Sequence, residues 1–150
     1  MMEFDTVLVP VDFSEASEHA YARALELVTG SNPLVVLLHV LDPGLADFSE
    51  THGFGSAEET MRIMRQNAES RLQEYQERKE GNVDVQTMLC EGVPFLEIIK
   101  KADELQVHAI VMGKFGARGR VDRMLFGSTA ERVIRASTRP VLVLPFERTV

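Results

Sequence analysis

Between Gly113 and Ser128 the chain reads GKFGARGRVDRMLFGS, and these residue types in this order could hold an anion. Gly113 and Gly116 carry no side chains, so backbone N–H groups there can approach a phosphate closely. Gly127-Ser128 precedes an amphipathic run, STAERVIRA, whose helical start would present unpaired N–H donors and a partial positive charge. Lys114, Arg118, Arg120 and Arg123 lie between, with only Asp122 opposing them. The formal charge of the whole chain is −7, so this is a local basic excess on an acidic protein. A polyphosphate would need such an excess. The same residues also fit a plain strand-to-helix turn. Ser128-Thr-Ala-Glu131 has the form of a capping box, and the arginines could form a solvated face. On the residues alone both readings stand.

Other phosphate and catalytic layouts fail on spacing. A dinucleotide fold of the Rossmann type places glycines directly after its first strand, but that turn reads PVDFSEAS. No GxxxxGK followed by Ser or Thr occurs, and GxSxG is missing. A receiver-type phosphoacceptor would be an aspartate after the third strand, where the chain has Cys90-Glu91-Gly92. His19, His39, His52 and His108 show none of the paired spacings that metal sites use, so no protein-built metal site is expected. No general base stands near Ser128 in sequence, which leaves an ATPase or a self-phosphorylating protein with little support and no catalytic residue to name.

The elements that would position the loop are legible from periodicity. TVLVPV (Thr6 to Val11) and PLVVLLHVL (Pro33 to Leu41) are apolar on both faces, as central parallel strands require. Ser14 to Val28 forms a helix with Ala16, Ala20, Ala24 and Leu27 on one face, capped by Ser14 and closed by Gly30. Asp42 to Gly55, DPGLADFSETHGFG, reads as a polar and mobile loop. SAEE from Ser56 is a capping box that starts a helix running to about Arg78. VDVQTML (Val83 to Leu89) alternates like an outer strand, and Pro94 opens the next helix. HAIVM (His108 to Met112) and PVLVL (Pro140 to Leu144) are the fourth and fifth strands. Strands separated by helices imply right-handed crossovers. The expected fold is α/β: one doubly wound domain over residues 1–150, a five-stranded parallel sheet in the order 3-2-1-4-5, and helices on both faces. Ligands in such sheets sit where the strand order reverses, which would bring Asp12 and the Gly113 loop together.

Bulk properties narrow the function classes. At 150 residues one core is enough, and the composition is ordinary for a globular chain. No apolar run is long enough to span a bilayer, and the acidic balance disfavours general nucleic-acid binding. The single cysteine, Cys90, and a start without a basic flank fit a cytoplasmic protein.

Four segments resemble the universal stress protein family in the right order across nearly the whole chain. They are VLVPVDFSEASEHA, LLHVLDP, AIVMGKFGARGRVDRMLFGSTAERV and the terminal PVLVLP. The ATP-binding branch of that family has Gly, two residues, Gly, nine residues, then Gly with Ser or Thr. Here residues 117–126 make a spacer of ten, with the extra residue expected to be absorbed around Phe115 to Arg118. The resemblance implies that Pro10, Asp12 and Val40 line the adenosine part, with Asp12 bonding the nucleoside and Met112 and Gly113 closing the other side. It implies that Gly116, Gly127, Ser128 and Thr129 hold the phosphates. Asp12 also fits a purely local role, helping to start the helix after it. The implied ligand is ATP, with Mg²⁺ carried mainly by the phosphates. The implied assembly is a homodimer through the edge strand Val141 to Leu144. As a function the resemblance implies a regulatory ATP-binding stress protein; the alternative is a nucleotide-free dimeric adaptor that recruits an unidentified protein partner and whose Gly-rich loop is structural.

Overall fold

The computed structural model describes residues 3–115 and 127–146. In chain order the elements are β1 (Thr6–Pro10), α1 (Glu15–Leu27), β2 (Leu34–Leu41), α2 (Pro43–Thr51) and α3 (Ala57–Glu77). They continue with β3 (Asp84–Glu91), α4 (Pro94–Glu104), β4 (Ala109–Gly113), α5 (Ser128–Ala136) and β5 (Val141–Leu144). All strand pairs are parallel, in the order β3-β2-β1-β4-β5. The strand order reverses between β1 and β4, as the sequence implies.

Strand alternation splits the core into two layers. Val7 and Val9 of β1 and Val35 and Leu37 of β2 pack against Tyr21 and Ala24 of α1 and Leu72 and Tyr75 of α3. Leu8, Val36 and Leu38, pointing the other way, pack against Ile98 and Ala102 of α4 and Ala130 and Val133 of α5. Leu8 and Leu37 are wholly buried. Each such side chain stabilises the fold by roughly 1.5–3 kcal/mol. Both faces of the central strands are thus covered, which is why their sequences are continuous apolar runs.

Helix starts follow local chemistry. Ser14 caps α1 by accepting from the Ser17 N–H at 3.2 Å, and Ser56 caps α3 by accepting from the Glu59 N–H at 3.1 Å. The reading of Asp42 to Gly55 as one loop is corrected, because Pro43–Thr51 is a helix. Its Asp42-Pro-Gly start works as a helix N-terminus. The Asp42 carboxylate accepts from the Gly44 N–H at 2.9 Å, and proline sits at a first-turn position where no N–H is needed. The expected stop at Gly30 also shifts slightly. α1 is capped at Val28, and the positive φ of 100° comes two residues later at Gly30.

Candidate functional site

The site begins where β1 and β4 part. The His108 N–H donates to the Thr6 carbonyl at 2.8 Å, so Thr6 aims its peptide groups at β4. Backbone alternation puts Leu8 and Pro10 on the same side. Pro10 has no N–H to offer. The paired residues of β1 and β4 accordingly end at Leu8 with Ile110, whereas β1 stays paired with β2 through Pro10 with Leu38. A proline on the β4 side thus ends the β1–β4 pairing at the switch point, where ligands of such sheets bind.

Asp12 follows on the exposed rim. Its Oδ1 accepts from the Ser14 N–H at 3.0 Å and from the Ser14 hydroxyl, and its own N–H donates to Ser17 Oγ at 3.4 Å. This turn orients the carboxylate and links it to the start of α1. The local role weighed for Asp12 is therefore present, and it holds the side chain at the crevice.

Between Asp12 and the cap lies Phe13, with φ at 65°. A bulky residue in the left-handed region is strained and must be held by its surroundings. Its ring is 4.6 Å from the His39 ring, edge-on to Tyr75 at 5.6 Å, and under the Arg71 guanidinium at 4.9 Å. His39 Nδ1 donates to the Val11 carbonyl at 2.7 Å, which fixes the neutral ring's tautomer. Burial lowers the His39 pKa below its ordinary 6.5, opposed by the Val11 carbonyl and the Asp12 charge. Sequence reading missed both residues. The signal for His39 was available, since it continues the Val35, Leu37 face of β2; positive φ at Phe13 left none.

On the β4 side, Gly113 closes against α1. A Cβ at Gly113 would lie 3.2 Å from the carbonyl carbon, oxygen and Cβ of Ala16. The glycine is therefore explained by close strand-helix packing. Beyond it, the Lys114 N–H donates to the Leu144 carbonyl at 3.0 Å, and the Lys114 carbonyl accepts from the Gly127 N–H at 2.8 Å. These bonds bring the start of α5 to the end of β4. Asp12, the first turn of α1, Gly113 and the first turn of α5 are thereby gathered at one end of the sheet.

The capping-box reading of Ser128 and Glu131 is corrected. Gly127 is the N-cap, extended at φ −61° and ψ 151°, and its carbonyl accepts from the Glu131 N–H at 3.0 Å. Ser128 is already helical, and the Glu131 carboxylate pairs with Arg135 at 2.8 Å instead of reaching back. Gly127, being glycine, offers no side-chain cap to α5. Its first-turn amides are among the donors this end of the sheet can offer an anion.

The remaining expected residues fall as follows. Pro10 and Val40 are half-buried at the ends of β1 and β2, Val40 against the α4 and α5 layer. Met112 is buried in that same layer. Ser128 is exposed and Thr129 half-buried in the first turn of α5. Gly116, with Arg118, Arg120 and Arg123, lies outside the described residues, as does most of the segment expected to absorb the extra residue. Among the described residues no group of three or more His, Cys, Asp or Glu side chains could hold a metal ion. No described helix is long and apolar enough to cross a membrane.

Comparison with known proteins agrees with this architecture. The family model described as "Universal stress protein family" matches residues 3–145. Universal stress protein MJ0531 of Methanocaldococcus jannaschii is 30% identical over 142 residues, covering 94% of this chain and 82% of its own length. The solved structure of MJ0577 from the same organism superposes with a TM-score of 0.86 at 28% identity, covering 99% of this chain and 100% of that one. The universal stress protein of Archaeoglobus fulgidus in complex with dAMP superposes with a TM-score of 0.62 at 26% identity, covering 95% of this chain and 98% of that one. Sequence motifs, strand order and these likenesses converge, and the chain belongs to the universal stress protein family.

Proposed function

We propose that the protein binds an adenine nucleotide, ATP, as a regulatory ligand at the carboxyl ends of β1 and β4, in a cytoplasmic stress response. The observation that carries this reading is the gathering of Asp12 and the start of α5, with glycine at its N-cap, on the two sides of the switch point. Asp12 accepts hydrogen bonds from the nucleoside hydroxyls. Pro10 and Val40 pack against the nucleoside, while the backbone of Met112 and Gly113 closes the opposite side. The amides of Ser128 and Thr129, with their hydroxyls, meet the phosphates, joined by Gly116. The Gly127 N–H is already committed to Lys114, so Gly127 contributes by bringing the next two amides forward without a Cβ. The dAMP complex of the A. fulgidus relative supports the ligand class. Mg²⁺ would be carried mainly by the phosphates and water, since no group of three or more His, Cys, Asp or Glu side chains among the described residues could hold it.

A thermal-shift series tests this reading. ATP with Mg²⁺ at about one hundred times its Kd stabilises the fold by roughly 2.7 kcal/mol. No shift at millimolar nucleotide, together with no nucleotide released from freshly denatured protein, would refute it.

A second reading is a nucleotide-free dimeric adaptor. It is favoured by Gly113 and Asp12, since Ala16 packing and helix initiation account for each without a ligand. Partner capture that ignores nucleotide and is lost in a dimer-breaking variant would select it.

A further inference from the structure

We propose that α2 and the turn after it form a docking surface for a basic, amphipathic helical segment of a partner protein. α2 buries only Ala46 on its inner side. Leu45, Phe48 and His52 recur at helical spacing on its outer side, Leu45 53% and Phe48 59% exposed, with the His52 ring stacked on Phe48 at 4.0 Å. Phe54, 77% exposed, continues the surface, tied back by its N–H to the Ser49 carbonyl at 2.8 Å. Singly exposed apolar residues are ordinary, whereas Leu45 and Phe48 on one helix with His52 and Phe54 following it mark an interaction face.

The surface is fixed before any partner arrives. Glu50 Oε2 accepts from the Ala57 N–H at 2.6 Å, locking the end of α2 to the start of α3, and Ser56 caps α3. Preorganisation of this kind lowers the ordering cost of binding.

Charge selects the occupant. From Asp42 to Glu58 the chain carries Asp42, Asp47, Glu50 and Glu58 and no lysine or arginine, while Glu59 pairs with Arg62 at 3.5 Å. An apolar stripe with acidic flanks fits a helix that has leucine-like residues on one face and lysine or arginine beside them. A second copy of this chain would set the same acidic flanks against each other, and an anionic membrane would be repelled.

The test uses the full chain and a synthetic amphipathic helix of leucine and lysine about five turns long. A control peptide has the same composition with its leucines spread round the helix. Fluorescence anisotropy should show the amphipathic peptide binding about tenfold or more tightly than the control, more weakly as salt rises. Phe48→Ser with Phe54→Ser should abolish the preference. Asp47→Lys should weaken binding and flatten its salt dependence. All three positions are exposed, so an unchanged melting midpoint shows that each variant folds. Equal binding of the two peptides, or an unchanged preference in the double serine variant, would overturn the proposal. So would self-association by sedimentation that the double variant removes, or binding to phosphatidylcholine vesicles in place of the peptide.

Discussion

The Gly127 N–H donates to the Lys114 carbonyl across 2.8 Å, so the chain leaves the end of β4 and returns to it before α5 begins. This bond and the burial of Ala130 and Val133 hold the start of α5 against β4. If these contacts place α5, one residue more or less in the spacer leaves Ser128 and Thr129 where they are.

Deleting Ala117 tests that independence. Loop closure changes by only about 0.1 kcal/mol for one residue, so the variant should unfold at the same urea midpoint within error. Its nucleotide affinity should stay within about threefold, less than 1 kcal/mol. A large fall in the unfolding midpoint would mean that the segment itself holds α5 in place.

Gly113→Ala should destabilise the protein. Overpacking against the Ala16 backbone at 3.2 Å costs about 1–3 kcal/mol, which exceeds the roughly 0.4–1 kcal/mol gained from a stiffer unfolded chain. Urea unfolding monitored by circular dichroism gives the sign directly. A neutral or stabilising result would show that α1 can move away and that close packing is not why glycine stands there.

His39 gives the fold a pH dependence. Its folded pKa lies below 6.5, chiefly through burial, so the unfolded chain takes up the proton first. Its stabilising contribution is complete above about pH 6.5 and declines as pH falls from there toward the folded pKa. The slope from this one group cannot exceed about 1.4 kcal/mol per pH unit. His39→Gln should flatten the stability profile between pH 6.5 and 5, measured by urea titration at each pH. An identical slope in the variant would remove His39 as its origin.

The edge strand β5 presents Leu142, 40% exposed, at the end of the sheet. If two chains meet there, Leu142→Lys should convert a dimer to a monomer in sedimentation at micromolar concentration. Pro140 and Pro145, bracketing the strand, restrict pairing to this short segment. A wild-type protein that sediments as a monomer would dispose of the dimer outright.

Most of the fold was legible because its strands are unusually plain. Leu34–Leu41 and Ala109–Gly113 are largely apolar on both faces, as strands of a covered parallel sheet are, and Ser14, Ser56 and Pro94 mark helix starts by side-chain chemistry. α2 was missed because Asp-Pro-Gly fits a turn and a helix N-terminus equally well, and the choice falls to packing against α3. The start of α5 was misplaced by one residue for a related reason. A Ser-x-x-Glu string cannot reveal that Glu131 prefers Arg135 or that the Gly127 N–H is held by Lys114. The locations of Asp12 and Gly113 could be read from strand ends, whereas Phe13's backbone and the Ala16 contact exist only in three dimensions.

The most direct test is calorimetric titration of ATP with Mg²⁺ into the wild-type protein, the Asp12→Ala variant and the Ser14→Ala variant. Ser14→Ala removes the cap at a cost of about 1 kcal/mol in stability and should bind within about threefold of wild type. Asp12→Ala should lose at least about tenfold in affinity, or about 1.4 kcal/mol, while remaining folded. Wild-type protein that takes up no nucleotide, or an Asp12→Ala variant that binds as tightly as wild type, would contradict a nucleotide held between Asp12 and the start of α5.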